Sequence, residues 1–509
     1  MRLALLLALL LPSLAHAQLR PAAIPIHSPA DAWLAAAADI QDPDQVPAVH
    51  RPTTRYLALW HVRDPLYRRE VCYRVISEWL NGFSTNGLII LPRPVPGTDY
   101  ALFRVNLRDY GIPAEVWDRL AFAEPYSYRV IEVPWGYWSG NQWVTTRTVK
   151  TTAVAPWVQP TDRHVAAAST LLLLTGGAGR FPAPVVNGQW WFAQTAIQEG
   201  RDDTRTGYYD FLGVDKDANS WLDLSGGREA FDRSKTLQLE VGALVARSRE
   251  VALNNRRLKV REMLTGKLFY SEDFASSVGK ANVIRNPDGT EPDASEQIAP
   301  RSNGLPAFWL QDGKGKRQNS PPDFIASNRH APGTDGRVHV GVTCIRCHER
   351  VLHDIDDYAR RVWRKPLGVQ SPVIERFDGL VQLYFRSMNE RLDDARTNYA
   401  KAVRKATALP EPGSVGLELK EWSGRVGNCW DDWQEKDWTL DRIAALTGHT
   451  PPAIVTALSA RARVDKQLDL VLLGLLADPP EPLRIENLEE IYPLLQEIMA
   501  GETARRRGQ

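Results

Sequence analysis

Two cysteines and a histidine fall within five residues of this chain: positions 344–348 read Cys-Ile-Arg-Cys-His. Cysteine is otherwise scarce, with four in 509 residues, so a pair at this spacing points to chemistry rather than to a disulfide scaffold. Two residues between the thiols, on a helical turn, place both sulfurs on one side. The imidazole of the next residue then lies beneath whatever the sulfurs hold. That arrangement suits a covalently attached haem: Cys344 and Cys347 form thioethers to two vinyl groups on one edge, and His348 binds the iron from the proximal side. Two other chemistries use the same residue types. Cys344 and Cys347 make a vicinal redox disulfide, or they supply half of a zinc site with His348 and another His. A zinc site takes a second ligand pair, and there is no second Cys-x-x-Cys in the sequence.

The other face of an iron bound at His348 decides the chemistry. A Met or His there saturates the metal and favours electron transfer, whereas an open position permits peroxide or small-gas reactions. Beyond the initiator the chain has three methionines, Met263, Met388 and Met499. Met388, 40 residues after His348 on an apolar helical stripe, and Met263, in Val-Arg-Glu-Met-Leu, are the candidate distal ligands. A Met on such a stripe also serves as core filling. His164, His330 and His339 are alternatives, while His353 is too near His348 in sequence to arch over a ring.

The first 17 residues have a basic start at Arg2, an apolar run Leu3–Leu11 and small residues at Ala15 and Ala17. This is a secretory signal pattern with cleavage expected before Gln18, which predicts an extracytoplasmic, periplasmic location. The run is shorter than the roughly 20 residues that span a bilayer. The later apolar runs near Leu171–Leu174 and Leu470–Leu476 are shorter still or interrupted, so no integral membrane segment is expected after cleavage. The formal net charge of +1 falls to 0 when Arg2 leaves with the signal. A neutral balance argues against a nucleic-acid partner. The helix-turn-helix rhythm of Thr439–Leu458 lacks a basic recognition face and reads as a helical hairpin.

The elements that must position the motif follow from periodicity. Residues 18–54 read as a leader. Residues 55–280 read as an α+β domain of unknown role. In it Val71, Cys72, Val75, Ile76, Trp79 and Leu80 form a helical stripe, and Leu88–Leu91 and Ala101–Leu107 read as strands. A hairpin is expected over 134–149, about Gly140-Asn141. Residues 281–408 form a Gly/Pro-rich run-up and the haem domain. A small hairpin at Ala307–Arg317 and a short strand at Val338–Val342 precede the motif; helical stripes from Val351 to Val362 and from Val373 to Leu392 follow it. Residues 409–509 form a C-terminal helical unit including Leu440–Leu446 and Pro452–Leu458. The fold class expected is α+β, with a mainly helical haem-bearing C-terminal part.

Cys344–His348 resembles the attachment site of the cytochromes c. The stretches Asn303-Gly304-Leu305 through Gly341-Val342-Thr343, Asn254–Arg257 and Tyr270–Ser276 look like pieces of large bacterial monohaem c-type cytochromes. The resemblance implies one covalent haem c with its iron, electron transfer and a redox partner protein. The lead-in differs from that of the small soluble cytochromes c, where a helix enters the site; here a Gly-rich, strand-like stretch does. An open distal site would instead imply a peroxidase-like haem oxidoreductase, or a haem-based sensor whose first domain binds an envelope ligand.

Three further groups stand out. The tryptophans cluster at Trp135, Trp138 and Trp143, at Trp190 and Trp191, and at Trp430, Trp433 and Trp438. They read as aromatic packing, with a ligand-stacking platform as the functional alternative. Cys72 and Cys429 form a bridge between distant segments or remain buried thiols. The basic run Arg360, Arg361, Arg364 and Lys365 steers an acidic partner, holds haem propionates or is a solvated helix face.

Overall fold

Strand β1 (Thr54–Ala58) is buried at every position, because it forms an interior strand of a sheet ordered β2 (Arg93–Pro94), β3 (Leu102–Asn106), β1, β6 (Val185–Asn187). β3 runs antiparallel to β1 and β6 parallel to it. The computed structural model describes residues 23–63, 66–121, 123–126, 128–139, 142–154, 167, 170–171, 174–175, 184–198, 206–236, 240–246, 255–264, 266–287, 289–320, 338–349, 352–359, 387–409, 424–434, 436–465 and 467–507. The expected signal peptide, His164, His330 and the Arg360–Lys365 run lie outside these. Over them the chain is an α+β protein.

Helix α1 (Pro29–Gln41) starts at Ser28, whose hydroxyl accepts from the Asp31 amide at 3.2 Å, satisfying one of the free donors of the first turn. Its Asp39 is buried and takes the Arg104 guanidinium of β3 at 2.6 Å and the Tyr56 hydroxyl of β1 at 2.6 Å. Helix α2 (Leu66–Phe83) carries the stripe read from the sequence: Cys72, Val75, Ile76, Trp79 and Leu80 are buried and Val71 is half-buried. Leu88–Leu91, expected as a strand, is irregular. The Asn81 side chain accepts from the Ile90 amide at 2.9 Å and donates to its carbonyl at 2.8 Å. It thus satisfies the backbone groups that a neighbouring strand would otherwise pair.

The expected hairpin is present and longer than its apolar pattern: β4 (Tyr128–Ser139) pairs with β5 (Gln142–Val154), Trp138 opposite Trp143. Residues 140–141, where the turn is expected, lie outside the described residues. Helix α3 (Gly188–Thr195) follows β6 and buries Trp190 and Trp191. A second large sheet is an antiparallel meander of β7 (Glu240–Val245), β8 (Arg256–Met263), β9 (Gly266–Asp273), β10 (Ala294–Pro300) and β11 (Pro306–Asp312). The boundary expected at residue 280 falls inside this sheet, since β9 pairs directly with β10. The small hairpin expected at Ala307–Arg317 is reduced to the end of β11, a turn at Gly313–Gly315 and one bridge from Gln311 to Arg317.

Helix α4 (Val342–His348) carries the Cys-x-x-Cys-His motif, and α5 (Met388–Ala406), α6 (Arg425–Gln434), α7 (Leu440–Thr447), α8 (Pro451–Val464) and α9 (Ile485–Arg507) follow. The C-terminal helices bury their side chains together with those of the N-terminal elements. One apolar core includes side chains from Ile26 to Met499, and the Trp60 indole next to β1 donates to the Leu446 carbonyl at the end of α7 at 2.8 Å. Trp430, Trp433 and Trp438 are buried with Trp190 and Trp191, so these five are packing residues rather than a surface platform. Among the described residues no helix is long and apolar enough to cross a membrane.

Candidate haem-attachment site

The strand expected at Val338–Val342 does not form; the chain turns at Val340-Gly341 and enters α4 two residues before Cys344. Gly341 is the reason. Its φ is +90°, and a Cβ there would lie 2.6 Å from the Ala196 carbonyl oxygen and 2.9 Å from the Tyr208 ring. Only glycine combines that φ with so close an approach. The Ala196 carbonyl instead receives the Val342 amide at 2.8 Å, which anchors the start of the motif helix to the end of α3.

Within α4 the three reactive residues occupy positions i, i+3 and i+4, and so share one face. Cys344 is buried, Cys347 and His348 half-buried. The Cys344 thiol is hydrogen-bonded to the Glu296 carboxylate of β10; burial first, then that carboxylate, push it well above the ordinary thiol range. Among the described residues no group of three or more His, Cys, Asp and Glu is placed to hold a metal ion.

The His348 imidazole lies against the Phe308 ring of β11, centroids 6.2 Å apart and planes 20° apart. The His353 ring is 5.2 Å away on another side, its Nε2 2.8 Å from the Cys347 carbonyl. Tyr399 of α5 donates its hydroxyl to the His348 carbonyl at 2.8 Å. The remaining motif positions are tethers. Arg346 pairs with Asp431 of α6 at 3.1 Å. Glu349, the residue after the motif, accepts from the Val426 and Gly427 amides at 2.8 and 3.2 Å, and from the Gly424 amide. A carboxylate at a helix N-terminus satisfies free backbone donors and faces the positive end of the dipole. Arg425 links this junction to α2 through a buried pair with Glu78 at 2.6 Å.

Which sheet face the motif covers follows from strand register. Side chains alternate along a strand and directly opposed residues share a face. Ile298 opposes Phe308 and Phe269, and Glu296 opposes Leu310 and Ser271; the Cys344 and His348 partners therefore lie on one face. That face also walls a cavity of about 610 Å³ whose other side is α5, with Phe269, Ile298, Pro306, Leu352 and Tyr399 in its lining. Its volume is in the range of cofactor pockets. Pro306 also walls a smaller pocket that reaches Phe308 and Ile345, so the cavity begins close beside the motif. Two thiols and an imidazole on one helical face are the donor set that a covalently held macrocycle takes; the cavity itself is lined by none of Cys344, Cys347 and His348.

The two candidate distal methionines part company here. Met388, at the start of α5, is buried in the cluster that contains Leu352, Val260 and the rim residues Phe269 and Ile298. Met263 alternates with Glu262, whose side chain lines the cavity, and so projects from the opposite face of β8. It packs instead with the main core. Met499 is buried in α9, and His339 is half-buried at the approach to α4. The helix expected from Val351 is absent over 352–357. There Asn389 accepts from the Ile355 amide and donates to its carbonyl, both at 2.9 Å, and Arg396 donates to the carbonyls of Leu352 and His353. Side chains of α5 thus replace the helix's own hydrogen bonds.

Glu296, Phe308, Glu349 and Tyr399 carried no signal in the sequence beyond the adjacency of Glu349 to the motif; their partners lie 40 to 78 residues away along the chain. Cys72 and Cys429 are side by side, the Cys429 thiol in hydrogen-bonding contact with Cys72, both buried and free. No protein-family model, no curated protein and no solved structure matches this chain.

Proposed function

We propose that this chain is an exported c-type cytochrome that holds one covalent haem through Cys344, Cys347 and His348 and acts in electron transfer. The observation that carries the reading is the common face of these side chains on α4, laid over the sheet face that walls the cavity. The N-terminal pattern of residues 1–17 supports export, and thioether attachment of haem takes place outside the bacterial cytoplasm. When bound, the haem supplies the one-electron couple of its iron. The chain's own residues do the positioning. Gly341 sets the entry to α4, and Glu349 and Arg346 fix its far end to α6. Phe308 and Tyr399 hold His348 against the sheet. Of the two candidate methionines, Met388 would be the one to hold the iron, because it packs on the sheet face that Met263 turns away from.

The test is a pyridine haemochrome assay and intact mass on mature protein made with a haem-ligation system. One covalent haem is expected for wild type and none for C344S/C347S. A colourless wild-type product of unmodified mass overturns the proposal. The same material decides between the carrier and its rivals. A low-spin spectrum unchanged by carbon monoxide, becoming high-spin in M388L, fits an electron carrier with a redox partner protein. A high-spin wild-type spectrum that shifts with carbon monoxide or peroxide makes it a peroxidase-like enzyme or a haem sensor, with peroxide turnover separating those two.

A further inference from the structure

Two buried thiols outside the motif meet across a pair of helices. Cys72 lies on α2 and Cys429 on α6; both are buried and free, and the Cys429 thiol is in hydrogen-bonding contact with Cys72. The packing of the two helices fixes this approach through a second, independent contact. Glu78 follows Cys72 by six residues and Arg425 precedes Cys429 by four. The buried Glu78 carboxylate takes the Arg425 guanidinium at 2.6 and 2.7 Å. The helices therefore run in opposite directions and touch at two places, about 6–9 Å apart along their axes. The Cys429 carbonyl in turn accepts from the Gln189 side chain of α3 at 3.5 Å. Thiols in contact on helices held by a second pair meet the approach that a disulfide needs. The consequence reaches the motif, because α6 anchors the far end of α4: its Val426 and Gly427 amides bind Glu349, and its Asp431 pairs with Arg346.

We propose that Cys72 and Cys429 form a structural disulfide that staples α6 to α2 and so secures the helix on which the motif is anchored. The oxidant is an external disulfide, carried by a protein or a small molecule. One cysteine thiolate attacks it to give a mixed disulfide, and the second thiolate then displaces the remaining leaving thiol. The two protons and two electrons given up by the cysteines end on two thiols of the oxidant. On the export proposed above, the chain folds where such oxidants occur. The bond closes a ring that spans most of the chain, which removes much of the freedom of the unfolded state. Cys344 has a different neighbour, Glu296 of β10, so the stapling pair is separate from the attachment pair and needs no haem.

The experiment uses the full mature chain bearing C344S/C347S, in which Cys72 and Cys429 are the remaining cysteines. It is sent to the periplasm of a bacterial host behind a host signal peptide and alkylated at lysis, so that no refolding step intervenes. Peptide mapping without reductant is expected to give one linked pair of peptides containing Cys72 and Cys429, with neither residue alkylated. In urea unfolding the protein should lose about 0.5–1 M of its midpoint when dithiothreitol is present; this background has no other disulfide for the reductant to cut. Alkylation of both cysteines, or a separate adduct on each, overturns the bond. A linked pair with equal midpoints in the presence and absence of dithiothreitol overturns the staple. In wild-type protein made with a haem-ligation system, linkage of Cys72 or Cys429 to Cys344 or Cys347 overturns the pairing. Linked Cys72 and Cys429 in wild type that lacks covalent haem supports the staple and overturns the haem reading alone.

Discussion

His61 sits between two side-chain amides whose orientations are fixed by other partners. Gln189 donates its NH₂ to Asp432 at 3.1 Å, so its carbonyl oxygen faces His61 Nε2, 2.7 Å away. The Asn187 carbonyl oxygen accepts from the Gln189 and Trp190 amides at 3.1 Å each, capping α3. Its NH₂ therefore faces His61 Nδ1, 3.1 Å away. The imidazole is locked as the Nε2–H tautomer, and a second proton on Nδ1 would point at a donor. Burial among Trp60, Trp433 and Trp438 is the main cause that pulls the imidazole down to about 4. The unfolded chain titrates near 6.5, so between these values it binds the proton that the folded chain refuses. Stability from His61 is complete above about pH 6.5 and lost as pH falls towards 4, about 3 kcal/mol in all. Asp273 works in the opposite sense. Burial raises its carboxyl to about 6, so the folded chain gains its proton first and is stabilised as pH falls from about 6 towards the ordinary carboxylate range. A wild-type profile alone mixes the two, and comparison with H61Q cancels Asp273. The wild-type advantage over H61Q, from urea unfolding, is expected to shrink by about 2 kcal/mol between pH 7.5 and 5. Parallel profiles, or an NMR titration of His61 with a midpoint near 6.5, refute the locked-tautomer argument.

Two other perturbations probe the scaffold of the motif. G341A forces a side chain into a left-handed conformation against the Ala196 carbonyl and the Tyr208 ring. It should cost more than about 2 kcal/mol in urea unfolding and reduce the yield of covalent haem; unchanged values of both would show that α4 does not depend on that turn. E78A leaves the Arg425 guanidinium buried without its carboxylate. Removing one partner of such a pair costs about 3–5 kcal/mol, measured by chemical denaturation, and a loss below about 1 kcal/mol would exclude a desolvated pair.

The sequence by itself determined what depends on neighbours along the chain. The spacing of Cys344, Cys347 and His348 sets their common helical face. The stripe from Cys72 to Leu80 is α2, alternation at Leu102–Asn106 is β3, and the apolar runs on either side of Gly140-Asn141 are β4 and β5. The tertiary structure decided what depends on residues far apart. Leu88–Leu91 and 352–357 have apolar patterns suited to regular elements, yet Asn81 and Asn389 satisfy their backbone groups from across the fold, so no strand or helix forms there. Met263 and Met388 are equivalent as residue types, and only the register of β8 against β9 puts one of them on the side of the sheet away from His348. Cys72 and Cys429 meet because α2 and α6 are packed side by side. Periodicity fixes which way a side chain points within its own element; which partner it meets is set by packing between elements, and that information is not local.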